Sequence, residues 1–262
     1  MIGIFDSGVG GMTVAHAVEA LLPQYQITYY GDLARTPYGS KSRETIIEYS
    51  IANTEFLLRH GAKIIIIACN SAASVASGIL RQKYDVPIFE VITPAVNRAV
   101  TATVTGNIGV IGTRATIRSG IYEKKITEQA PGLHVFSKAC PLLVPLVEEG
   151  WLNARETKMI LRKYLTPLKL KQVDTLVLGC THYPLLKEQI LHRFGKKRTT
   201  LIDSSVEVAL TLQQHLEENP ALRESLQRNG ENRYFVSDLT SAAVAIAAKI
   251  FGRQIDLAKV QS

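Results

Sequence analysis

Short runs rich in isoleucine and valine alternate with segments of helical period through the first 205 residues, and this alternation constrains the fold more than any other feature. Strands are expected at Ile2–Phe5, Ile27–Tyr30, Ile64–Ala68, Ile88–Val91, Ile108–Ile111, Val135–Ser137, Thr175–Leu178 and Thr200–Ile202. Between them, Ile47, Ile51, Thr54 and Leu58 share one face of a helix that Gly61 can end. Pro23 closes the first helix, and Pro184 suits the first turn of another. The expected class is α/β, with parallel sheets.

The chain also repeats itself. Ile2-Gly3-Ile4-Phe5-Asp6-Ser7 is similar to Ile108-Gly109-Val110-Ile111-Gly112-Thr113, an offset of 108 − 2 = 106. Ile65-Ile66-Ile67-Ala68-Cys69-Asn70-Ser71 is similar to Leu176-Val177-Leu178-Gly179-Cys180-Thr181-His182, an offset of 180 − 69 = 111. A duplicated half of about 105–110 residues is the economical explanation, and 262 residues accommodate two such domains. Residues after about Ser205 leave the repeat. They read as a helical segment, a polar stretch from Glu217 to Arg233, a strand at Tyr234–Val236 and an Ala-rich helix near Ala242–Ile250. If this tail packs on the first half, the domains are 1–93 plus 206–262, and 94–205.

Several function classes recede on composition. The longest apolar stretch, near Ile64 to Cys69, is far short of the roughly 20 residues that cross a bilayer. Met1 leads straight into a strand with no leader pattern, so a cytoplasmic location is expected. Three widely spaced cysteines without CxxC or Cys/His spacing suggest neither disulfides nor a metal site. The net charge of +7 has its densest cluster only at Lys196-Lys197-Arg198. That reads as a solvated surface and makes nucleic-acid binding an outside reading, one that predicts steep salt dependence and indifference to the cysteines.

Chemistry concentrates at two places. In each cysteine segment an apolar strand ends in a small residue, then Cys, a polar pair and a helix. Ligands bind at the carboxyl ends of parallel strands. A helix N-terminus there favours both a carboxylate and a thiolate. Two thiols on opposite sides of one carbon suit inversion: Cys69 or Cys180 as thiolate takes the α-proton, and the other returns one from the far face. Asn70, Ser71 and Thr181 are expected at helix N-termini, holding the carboxylate of the carbanion. Cys140, in a run of Leu, Val and Pro, reads as a packing residue.

Asp6-Ser7-Gly8-Val9-Gly10-Gly11 nearly matches a dinucleotide-binding turn, with Asp32 about where a ribose-binding acid belongs. Thr13 occupies the third glycine position, however, and Asp6 would face the pyrophosphate. Asp6 reads instead as an amine partner, as an acid/base neighbour of a cysteine, or as a simple turn cap. Pro37-Tyr38-Gly39-Ser40-Lys41-Ser42 is a turn whose Tyr and N–H groups can reach a ligand, or an ordinary helix cap. His182 is a proton partner or a structural residue. Glu148 reads by default as a solvated helix end.

Together, Asp6-Ser7-Gly8-Val9-Gly10-Gly11, Pro37-Tyr38-Gly39, Ala68-Cys69-Asn70-Ser71-Ala72 and Gly179-Cys180-Thr181-His182-Tyr183-Pro184 resemble the glutamate racemases of the aspartate/glutamate racemase group. The resemblance implies a cofactor-independent isomerase that interconverts L- and D-glutamate for peptidoglycan synthesis. It also implies two pseudo-symmetric α/β domains with the site between them, and a homodimer is expected. By position it makes Cys69 and Cys180 the acid/base thiols, serving the D- and L-enantiomers respectively, assisted by Asp6, His182 and Glu148. Asp6, Ser7, Tyr38, Gly39, Asn70, Ser71, Thr113, Thr116, Thr181 and His182 match substrate-binding positions. Ser71 replaces a usual Thr, and Ala115 a common Gly; both departures bear on strictness for glutamate over aspartate.

Overall fold

Ile64, Ile65, Ile66 and Ile67 are all fully buried. Such a run belongs to a strand covered on both faces, and each side chain contributes about 1.5–3 kcal/mol by leaving water. The computed structural model describes residues 1–195, 199–226 and 230–260, so the basic triplet Lys196-Lys197-Arg198 lies outside the described residues. The strands are β1 (Ile2–Asp6), β2 (Ile27–Gly31), β3 (Ile64–Ile67), β4 (Ile88–Glu90), β5 (Asn107–Gly112), β6 (His134–Ala139), β7 (Thr175–Gly179), β8 (Thr200–Asp203), β9 (Arg233–Val236) and β10 (Leu257–Lys259). They form two sheets, in the orders β10-β9-β2-β1-β3-β4 and β6-β5-β7-β8. Every pairing is parallel.

Without β9 and β10 the two orders are one topology, 2-1-3-4 and 6-5-7-8, so the internal repeat is a repeat of architecture. Its glycines show why the motif recurs. A Cβ on Gly3 would stand 2.8 Å from Ala62 Cβ, and one on Gly109 would stand 2.9 Å from a methyl of Val173. The offsets are those of the sequence repeat, 109 − 3 = 106 and 173 − 62 = 111. In each half a glycine in the first strand admits the residue that leads into the third.

The helix predicted around Ile47 spans Arg43–Arg59, and its boundaries carry the expected signals: Ser42 caps Thr45 N–H, and Gly61 sits at φ +87°. Its buried face is Ile46, Ser50, Asn53, Thr54, Phe56 and Leu57, whereas Ile47, Ile51 and Leu58 are only partly buried. The sequence stripe was displaced by one residue because polar Ser50 and Asn53 face inward. Ser50 satisfies its hydroxyl on Ile46 C=O at 2.7 Å, and Asn53 donates to Tyr38 at 3.1 Å.

The tail returns to the first sheet. β9 pairs with β2 and β10 with β9, and helix Ser204–Glu218 packs on helices Met12–Leu21 and Ile92–Ala102. The polar stretch contains a short helix, Pro220–Ser225, and β10 was not anticipated. Among the described residues no helix is long and apolar enough to cross a membrane. The central strands β1, β3, β5 and β7 carry Asp6, Cys69, Thr113 and Cys180 at or just past their carboxyl ends, and there the halves meet.

Candidate active site

Cys69 is the residue before helix Asn70–Lys83, in extended conformation at φ −67° and ψ 115°. Its thiol donates to Ser7 Oγ at 3.5 Å. Burial and the neighbouring Asp6 carboxylate push the Cys69 thiol up to about 12, against the Ser7 and Ala72 N–H groups that favour the thiolate.

Cys180 is supported differently, and here the expectation of a second α-helical N-terminus fails. After Cys180 the chain forms a 3₁₀ turn, Tyr183–Leu186, with Pro184 inside it, and the α-helix begins only at Lys187. Thr181 is therefore not at an α-helix N-terminus. A side chain supplies the positive charge instead: His182 Nδ1 lies 3.9 Å from Cys180 Sγ, and His182 Nε2 lies 3.1 Å from Glu148 Oε1. Burial lowers the His182 pKa, but hydrogen bonds to Cys180 and Glu148 outweigh it and push it up to about 10. Glu148, the last residue of helix Leu143–Glu148, is thus no idle helix end.

Asp6 is fully buried at the end of β1. It accepts from Gly8 N–H at 2.9 Å and from the Thr181 hydroxyl at 3.3 Å across the cleft, so it caps its turn and also reaches the Cys180 loop. Burial raises its pKa to about 6, partly opposed by His182 and the N–H groups of Gly8 and Gly11. A raised carboxyl pKa means that the folded state holds its proton more tightly than the unfolded chain. Stability therefore falls as pH rises from about 4 through about 6, by ~3 kcal/mol for this group. Asp6→Asn removes the buried charge and keeps an acceptor for Gly8. We expect it to raise stability in urea at pH 7 by about 1–3 kcal/mol. A destabilised variant would mean that the carboxylate's hydrogen bonds exceed its desolvation cost.

The glycine-rich turn serves close approach. A Cβ on Gly10 would stand 2.4 Å from His182 Nδ1 and 2.7 Å from Thr181 Oγ1; one on Gly11 would stand 2.2 Å from Asp6 Cβ. Thr13, at the third glycine position of a dinucleotide turn, donates to Gly10 C=O at 2.9 Å and approaches Thr181 C=O at 3.2 Å. Asp32 is buried, salt-bridged to Arg35 at 2.7 Å and bonded to Tyr38 and Ser237. No ribose acid remains, and the nucleotide reading falls.

Ser71, Thr113 and Thr116 form a hydroxyl cluster across the halves, with Ser71 Oγ 2.9 Å from Thr113 Oγ1 and 3.4 Å from Thr116 Oγ1. Thr113 also caps the short helix Arg114–Arg118 through Thr116 N–H. Gly39 fits against Thr113, where a Cβ would stand 2.7 Å from the threonine Cβ. The Tyr38 hydroxyl is held by Asp32 and Asn53, so it is not the free ligand donor expected from sequence. Asn70 accepts from the Tyr122 hydroxyl at 2.7 Å, while its Nδ2 is buried without a partner.

These residues line one cleft: Ser7, Tyr38, Gly39, Cys69, Asn70, Ser71, Thr113, Cys180, Thr181 and His182, joined by Thr36, Pro37 and Val144. Asp6, Thr116 and Glu148 stand behind the lining, bonded to it. Cys140 is fully buried in the second core, its thiol pushed up to about 12 by burial. Sequence reasoning missed Tyr122 and Thr13 as partners of the cleft; neither belongs to a motif that marks it. The cleft holds only about 20 Å³ of free space, enough for roughly one water.

The chain matches the family model for Asp/Glu/hydantoin racemases over residues 12–212. A glutamate racemase of Geobacter metallireducens is 42% identical over 254 residues, 97% of this chain and 93% of the relative. The crystal structure of a glutamate racemase isoform from Bacillus anthracis superposes with a TM-score of 0.94 at 37% identity, covering 100% of this chain and 97% of that one. That of a Francisella tularensis glutamate racemase in complex with D-glutamate superposes with a TM-score of 0.91 at 34% identity, covering 100% and 97%. The chain belongs to the Asp/Glu/hydantoin racemase family and, within it, to the glutamate racemases.

Proposed function

We propose that this enzyme interconverts L- and D-glutamate by moving protons at Cα between Cys69 and Cys180, without a metal or pyridoxal cofactor. Its product D-glutamate would enter cytoplasmic peptidoglycan synthesis, and so cell-wall biogenesis and cell shape. The observation that carries the reading is that both thiols line one cleft, from matching strand ends of two repeated halves. The proposed lobes are residues 1–93 with 206–262, and residues 94–205.

In this reading L-glutamate lies with its Cα between the sulfurs. Cys180, as thiolate beside a protonated His182, takes the α-proton, and Cys69, as thiol, delivers its own to the opposite face. The reverse direction exchanges the roles: Asp6 accepts the Cys69 proton, and the carboxylate charge that opposes the thiolate is neutralised as the thiolate forms. Asn70 Nδ2 holds a carboxylate oxygen alike before and during the reaction, while Ser71, Thr113 and Thr181 are the donors that charge developing toward the α-carboxylate meets already in place. Ser7, Tyr38 and Gly39 complete the walls, Tyr38 without its hydroxyl; Thr116 orients Ser71, and Glu148 orients His182. Because the free space is about one water, the lobes part to admit glutamate and close on it.

The pKa values that frame the cleft give a pH profile. Asp6 is ionised above about 6 and His182 protonated below about 10, so kcat/KM is expected to rise through the first value and fall through the second. Stopped assays across pH 5 to 11 check this, and a single limb near pH 8 would contradict the assignment. The homodimer belongs to the proposal too. Exposed Val206 and Leu210 offer an apolar face on one helix, and sedimentation showing only monomer would remove it.

The functional reading is tested by loss of circular dichroism from each enantiomer of glutamate and aspartate. Signal lost only from the glutamates is expected. Equal turnover of the aspartates would withdraw the substrate, and no turnover of either would withdraw the reaction.

A further inference from the structure

Tyr122 is the second residue of helix Ile121–Gln129 in the second half, yet its side chain ends in the first. It is 2% exposed, and its hydroxyl donates to Asn70 Oδ1 at 2.7 Å, a contact between residues 52 apart. Its ring packs where a Cβ on Gly179, the residue before Cys180, would stand 3.3 Å from Tyr122 Cε2. One side chain therefore touches the strand end that carries one thiol and the first helical residue beyond the other.

The Asn70 amide is left in a specific state. Its oxygen is satisfied, and its Nδ2 is buried without a partner at a wall of the cleft. A buried amide N–H₂ without an acceptor costs about 1–3 kcal/mol, and a carboxylate in the cleft would remove that cost. In the opposite orientation Oδ1 would face the cleft, and a carboxylate would meet an acceptor instead of a donor. The Tyr122 hydroxyl stays protonated throughout the working range, since burial and the nearby Glu90 and Cys180 raise its pKa well above the ordinary value.

We propose that Tyr122 is a positioning residue for substrate binding, whose hydroxyl holds the Asn70 amide with Nδ2 turned to the substrate carboxylate. This rests on the glutamate racemase reading above. Because the tyrosine comes from the second half and the asparagine from the first, the donor is set only when the lobes are closed. Bringing the halves together thus also arms the carboxylate site, and an open cleft binds glutamate weakly.

Tyr122→Phe tests it, because it removes one oxygen and leaves the ring against Gly179. We expect KM for both glutamate enantiomers to rise about tenfold while kcat stays within threefold, since a carboxylate contact made in ground and transition states alike acts on binding. Asn70→Ala is expected to raise KM at least as much, and Tyr122→Phe added to Asn70→Ala should change KM no further, as for residues acting as one unit. An unchanged KM in Tyr122→Phe, a loss confined to kcat, or full additivity in the double variant would each overturn the proposal. If Tyr122→Phe does not fold, the hydroxyl is structural and the proposal also fails. Wild-type protein inactive on glutamate would instead overturn the underlying reading, so the two failures are distinguishable.

Discussion

Changing either Cys69 or Cys180 to Ala is expected to abolish racemisation of both glutamate enantiomers, with loss beyond the ~10²–10⁴ typical of a positioned acid or base. The loss reaches further because inversion needs two groups. A base without an acid makes a carbanion that returns to its starting configuration, and an acid without a base makes nothing. For the same reason the double variant should be no worse than either single one, as residues that act together are not additive. Cys140→Ala is the internal control. That thiol is as buried as the others, and burial pushes it up as it does the Cys69 thiol, but it lines the second core and not the cleft. Turnover within a few-fold of wild type and a stability loss of about 1 kcal/mol are expected for it. Substantial racemase activity in Cys180→Ala together with its loss in Cys140→Ala would show that the wrong pair has been chosen.

Gly10→Ala is expected to cost about a hundredfold in kcat/KM, although Gly10 has no functional group. Its Cβ would lie 2.4 Å from His182 Nδ1 and 2.5 Å from His182 Cε1. An ordinary contact there is about 3.4 Å, so His182 or the whole Cys180 loop must retreat by about 1 Å, and a misplacement of that size costs about 10²-fold. His182 is not free to swing aside, since Glu148 holds one nitrogen and Cys180 the other. Overpacking should also cost about 1–3 kcal/mol of stability. Gly78→Ala is the contrast, because nothing lies within 4 Å of its added Cβ and it sits inside helix Asn70–Lys83. That change should be neutral in activity and stabilising by about 0.5–1 kcal/mol. Equal activity in both variants would mean that the glycine-rich turn does not set the distance between the halves.

What could be read from residues alone was whatever depends on local pattern. The Ile64–Ile67 run, the paired glycines Gly3 and Gly109, and the two cysteine segments carry their meaning within a few residues, and the strands and the repeat followed from them. Features set by contacts across the halves were not legible. Nothing near Tyr122 announces that its hydroxyl ends on Asn70, 52 residues away. Gly10 looked like part of an anion-binding turn because the packing of His182 on it is visible only once both halves are folded. Tyr38 looked like a ligand donor because Asp32 and Asn53, which occupy its hydroxyl, lie on other elements. The sequence after Cys180 reads as a helix start as readily as the 3₁₀ turn it forms, since Pro184 is compatible with either. β10, only three residues long with two of them exposed, has too little apolar pattern to stand out.

The central claim, that one thiol removes the proton and the other replaces it, is tested most directly by starting each enantiomer separately in deuterated water and stopping early. If Cys69 and Cys180 face opposite sides of Cα, the product carries deuterium at Cα from the first turnover. The remaining substrate gains almost none, because the thiol that returns a hydron to the starting face holds the proton just taken from it. This pattern is expected from both L- and D-glutamate. Product that keeps its original hydrogen, or substrate that gains deuterium as fast as product forms, would mean that a single group works on both faces, and the two-thiol mechanism would be contradicted.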